Sequence, residues 1–148
     1  MNKLLGMAMA AMVLAGCTTA MSRLGTYPQT LSGDAKVVVE GKTFKIWFHR
    51  KDHTLAIQRS FGASVGQSFV SGLTFNAINE MEAKPYWKAA AKAVLDQIGC
   101  QVTDVYSLDN RTSWEATYTC PADTDVIGQV LIHQSQWRAG IIAAPLDR

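Results

Sequence analysis

Chemistry that depends on thiols or imidazoles has little to draw on in this chain, because its 148 residues hold three cysteines and three histidines. No Cys-x-x-Cys occurs, which removes the usual zinc-ribbon and dithiol readings. No Gly-x-Ser-x-Gly elbow is present to raise a nucleophilic serine. Gly62-Ala63-Ser64-Val65-Gly66 lacks the Lys-Ser/Thr pair of a phosphate loop and reads as a flexible turn. His49 and His53 have a spacing that aligns ligands on a helix, but they flank a predicted hairpin turn holding Arg50 and Lys51, which repel a cation. With His133 far away in sequence, all three read as surface histidines. Asp123 and Asp125 lack the rest of an oxygen-rich calcium loop and read as a solvated turn. A large excess of either charge is also missing. Fourteen Lys and Arg face twelve Asp and Glu, for a net charge of +2, well short of the basic surplus typical of nucleic-acid domains. The expectation is no metal, no cofactor, no nucleic-acid partner and no enzymatic activity.

The amino terminus is informative. Lys3 is a one-charge basic start, Leu4 to Leu14 is an apolar run of Leu, Met, Ala and Val with one Gly, and Ala15-Gly16 are small residues before Cys17. The run is shorter than the ~20 residues a membrane-spanning helix needs, and it ends in polar Thr18-Thr19. Leu14-Ala15-Gly16-Cys17 resembles the lipobox of bacterial lipoproteins. That resemblance implies a signal peptide over 1–16, acylation of Cys17 with palmitate-like chains, and a mature protein anchored in the cell envelope by its lipid. Thr18, rather than Asp, after the cysteine resembles the signal for release to the outer membrane, with the domain on the periplasmic or surface side.

With Cys17 given to lipid, Cys100 and Cys120 remain as a pair in a compartment that permits disulfides, and they are expected to be bonded. Residues 17–34 contain Thr, Ser and Gly with no apolar period and read as a mobile tether. Residues 35–148 are then a single domain, since 132 mature residues suffice for one core.

Within that domain, Ala35–Glu40 and Thr43–His49 read as a hairpin about Glu40-Gly41-Lys42, and Thr54–Arg59 as a third strand. Phe44, Ile46 and Phe48 alternate with Thr43, Lys45 and Trp47, so one face should meet the core. Lys84–Ile98 is a helix marked by Pro85 at its start and Gly99 past its end, with Trp87, Ala90, Ala91, Val94, Leu95 and Ile98 as the buried stripe. Cys100–Asp109 and Thr112–Cys120 form a second hairpin. Centred on Asn110, its register places Cys100 opposite Cys120, Val102 opposite Tyr118 and Tyr106 opposite Trp114. Val126–Ile132 reads as a sixth strand, and Ala143-Ala144-Pro145 as a loosely held end. The expected class is α+β, a small antiparallel sheet in the order β-β-β-α-β-β(-β) packed on one main helix.

Candidate contact residues come from two places. Phe61 to Asn79 carries no charge but includes Phe61, Phe69 and Phe75, and so reads either as a covered loop or as an apolar flap. Between Ala35 and Ser60, six bases face two acids, and Lys45, Arg50 and Lys51 with exposed Trp47 offer a surface for a partner or for lipid phosphates. The lysine row Lys84, Lys88 and Lys92 reads as a solvated helix face. The leading functional expectation is an accessory or assembly factor binding another envelope protein. A glycan-, lipid- or peptidoglycan-binding module is the alternative.

Overall fold

The first two strands owe their pairing to a two-residue turn. Glu40 and Gly41 both take positive φ, 45° and 78°, as a type I′ hairpin requires at its two central positions. β1 (Ala35–Val39) and β2 (Lys42–Phe48) are thereby joined antiparallel, with Val39 opposite Lys42. β3 (Thr54–Arg59) returns along β2, with Phe48 opposite Leu55. The computed structural model describes residues 23–28, 30–60, 83–108 and 112–146, so the expected leader, Cys17 and the segment 61–79 with Phe61, Phe69 and Phe75 lie outside the described residues.

α1 (Lys84–Leu95) follows, with Pro85 in its first turn, and a 3-10 turn over Asp96–Ile98 carries it to Gly99, whose φ of 73° ends it. Trp87, Ala90, Ala91, Val94 and Leu95 are buried on the expected stripe. β4 (Gln101–Ser107) and β5 (Ser113–Thr119) make the second hairpin, and β5 pairs antiparallel with β3. The sheet order is β4-β5-β3-β2-β1-β6, six strands of α+β class as expected.

Two expectations are corrected at the carboxyl-terminal end. Val126–Ile132 is not a strand; it opens a helix, α2 (Val126–Ala139), so two helices rather than one cover the sheet. The Asp125 carboxylate accepts the Gly128 backbone N–H at 2.9 Å and caps the helix, which supplies one of the four donors that a helix start leaves unpaired. A Cβ at position 128 would lie 2.1 Å from that carboxylate, so glycine there makes room for the cap. The sixth strand is instead β6 (Ile141–Ile142), parallel to β1, with Val37 opposite Ile141. The end is also less loose than expected: Ala143 N–H donates to Val38 O at 2.9 Å, and Ala143 and Leu146 pack against the core.

Both helices lie on one face of the sheet. Phe44 meets Trp87 of α1 edge-on at 5.0 Å, and Phe48 stacks on Trp137 of α2 at 6.0 Å. Phe44, Ile46, Phe48, Leu55 and Ile57 are buried there, as the alternation in β2 foretells.

The expected register of the second hairpin holds at one end only. Cys100 and Cys120 are bonded with Cα atoms 4.3 Å apart, and Val102 stands opposite Tyr118. A bulge between Val102 and Asp104 then shifts the pairing by one, so that Tyr106 faces Glu115 and Ser107 faces Trp114. An extra residue in one strand sends every later side chain to the opposite face. The extra residue is in β4, so Tyr106 turns to the other face of the sheet, while Trp114 on the unbroken β5 keeps the core face and stacks on Trp87 at 5.4 Å.

Candidate functional site

That other face carries the main polar constellation. Residues 23–28 and 30–34, expected within a mobile tether, lie across it as a strap. Tyr27 is 4% exposed beneath the strap, and Gly33 and Asp34 are buried at its end. Two strap carbonyls take side-chain donors from β2: Lys45 Nζ to Leu31 O and Trp47 Nε1 to Thr30 O, both at 2.8 Å. The domain therefore begins before Ala35.

At the strap's first described residue, Arg23 forms a two-pronged pair with Glu115 of β5, at 2.9 Å and 3.2 Å, and reaches Asp52 at 3.2 Å. Glu115 is 1% exposed. Besides Arg23 it accepts the Tyr27 hydroxyl at 2.7 Å and, closer still, the Tyr106 hydroxyl. Thr54 Oγ1 completes the group, 2.8 Å from the Tyr27 oxygen. Burial drives a carboxylate toward its neutral form, but the bonds from Arg23, Tyr106 and Tyr27 outweigh it and hold Glu115 below the usual carboxylate range. Burial, together with the adjacent carboxylate, pushes Tyr106 up to about 12 and Tyr27 higher still, although the Thr54 bond works against the latter. The bond to Glu115 in turn raises Arg23 against its desolvation. With its lone pairs committed, Glu115 is a fastening and not a poised acid or base.

A second buried carboxylate, Asp34, closes the strap. Its oxygens accept Phe48 N–H, Arg50 and Gln134 of α2, each at 2.9 Å. Arg138 of α2 adds a bond to Gly33 O at 2.9 Å. Asp34 thus ties strap, β2 and α2 together.

Between the strap and the sheet runs a groove of about 480 Å³, lined among others by Leu24, Leu31, Lys45, Trp47, Ala56 and Gln58. Trp47, expected exposed, is half-buried in this groove. Lys45 shares it, Arg50 is committed to Asp34, and Lys51 is exposed in the β2–β3 turn. Among the described residues, the candidate contact residues Lys45, Trp47, Arg50 and Lys51 are therefore divided among three settings. Lys84 of the lysine row pairs with Asp104 at 2.9 Å and lowers its carboxyl; Lys92 pairs with Asp96.

The histidines also separate. His49 is 8% exposed and not a surface residue; its Nδ1 accepts the Asp52 N–H at 2.9 Å, which shapes the β2–β3 turn, and its ring meets Tyr27 edge-on. His53 stacks on Tyr118, and His133 on Trp137. Among the described residues no three of His, Cys, Asp or Glu converge as metal ligands.

α2 presents an outer surface that the strand expected over Val126–Ile132 does not foretell. Val126, Val130 and Trp137 of α2 are buried, but Leu131 and Ile132 are 61% and 71% exposed. The signal was the unbroken Val-Leu-Ile run at 130–132, too apolar for a helix with only one buried side. Comparison of this chain with protein families, curated proteins and solved structures yields no match.

Proposed function

We propose that this protein is a lipid-anchored component of a bacterial cell envelope, acylated at Cys17 and held in the outer membrane, that binds another envelope protein without catalysing a reaction. The observation that carries the protein-binding part is the exposed pair Leu131–Ile132 on α2. Large apolar side chains on the outer side of a helix that already buries its inner side mark a contact surface. The commitment of both buried carboxylates to structural bonds supports a non-catalytic role. Crosslinking in intact cells followed by recovery of the lipoprotein tests this. The unaltered protein should bring down a defined partner, and Leu131→Glu with Ile132→Glu should lose it while remaining folded and anchored. Equal recovery by the variant overturns α2 as the surface.

The groove beside Trp47 favours a second reading, a glycan- or peptidoglycan-binding module, because an indole wall with polar neighbours suits a sugar ring. Cosedimentation with purified peptidoglycan that is abolished by Trp47→Ala would select it over the first. Cys17→Ser should leave an uncleaved precursor without lipid. Fractionation of the native protein with the inner membrane on a density gradient would overturn the outer-membrane placement.

A further inference from the structure

Resting on the reading of Cys17 as the lipid anchor, we propose that the Arg23–Glu115 latch holds the domain against the bilayer with the β2–β3 turn, residues 49–53, facing the lipid headgroups. Chain length decides the matter. Arg23 is fixed to Glu115, Thr54 and Asp52, which places it at the end of the sheet where β2 turns into β3. Six residue steps separate it from Cys17, a reach of about 20 Å even if fully extended. A compact domain of this size has a radius of gyration of roughly 13–14 Å and a diameter of about 35 Å. Stood end-on with the Glu40-Gly41 turn at the lipid, the domain would hold Arg23 about eight strand residues, ~26 Å, above the bilayer and beyond that reach, so the end-on arrangement the chain allows is the one with the β2–β3 turn down. Were the strap free as far as Asp34, seventeen steps would give about 60 Å and the domain could tumble.

Headgroup charge is not what orients it. At the near end Arg23, Arg50 and Lys51 are offset by Asp52 and by the buried Asp34 and Glu115. Asp125 shares a hollow with His53 and the turn and adds a further negative charge. The surface that meets the lipid is therefore close to neutral, and the latch with the short chain before it supplies the orientation.

The test uses the acylated protein reconstituted in phosphatidylcholine vesicles containing headgroup-nitroxide lipid, with a fluorophore on Lys51→Cys or on Glu40→Cys. Intact mass first establishes the acyl group; its absence would remove the anchor reading on which the orientation rests. In the acylated protein, quenching at position 51 should exceed that at position 40 several-fold. Insertion of twelve Gly and Ser residues between Ser22 and Arg23 should abolish the difference without touching the fold. Equal quenching at the two positions overturns the orientation; a difference that survives the insertion overturns the latch and the short chain before it as its cause. A difference that appears only when phosphatidylglycerol is added would assign it to charge and overturn the latch as its cause.

Discussion

Glu115 shows how one side chain sets a pH range. Its folded form holds the charge more tightly than the unfolded chain does, so its contribution is complete above the unfolded carboxylate value and is lost as pH falls through the depressed folded one. Tyr27, Tyr106 and Tyr118 act in the opposite sense: each is raised in the folded state, so their contribution is complete below the unfolded tyrosine value near ~10 and fades as pH rises toward about 12. Urea unfolding followed across pH should show stability falling at both ends. Glu115→Gln should flatten the acid limb, and an unchanged acid limb would show that Glu115 does not set it. Arg23→Ala leaves a buried carboxylate with only its tyrosine partners and should cost about 2–3 kcal/mol, below the ~3–5 of a wholly dry pair because Arg23 is a third exposed. None of this cluster was legible in the sequence. Arg23 and Glu115 stand 92 residues apart, and Tyr106 joins them only because the bulge turns it over.

The helices and strands were legible where pattern and punctuation agreed. α1 has Pro85, Gly99 and a helical stripe, and β2 alternates cleanly; both appear as expected. In α2 they conflict. Val126, Ile127, Val130 and Ile132 are β-branched and favour a strand, whereas Asp125 and Gly140 bracket a helix, and the cap with the burial of Trp137 decides the outcome. Trp137 is fully buried and its indole N–H donates to Gln97 at 2.8 Å. Trp137→Ala should accordingly cost about 3–5 kcal/mol, while Leu131→Glu with Ile132→Glu should leave the melting temperature nearly unchanged; a large drop would place those residues in the core. The hairpin staple closes a 20-residue separation, for which chain entropy gives roughly 3 kcal/mol. Replacing Cys100 and Cys120 with Ser should lower thermal stability by that order, and reduction of the native protein should do the same.

For the molecule as a whole, the strap and the last residues matter as much as the sheet. The strap lies on one face and both helices on the other, with Asp34 and Arg138 linking the two sides through β1 and α2. No helix among the described residues is long and apolar enough to cross a membrane. Deleting residues 141–148 should expose the free edge of β1 and sharply increase proteolysis at β1, as measured by limited digestion; unchanged digestion would show that β6 contributes little. The same pairing places a clock in the molecule. Val37 receives its partner Ile141 only 104 residues later in the chain, and at synthesis rates of ~5–20 residues per second that interval is roughly 5–20 s. Wherever folding starts before the chain's end arrives, β1 has one unsatisfied edge, and the last strand made is the one that covers it.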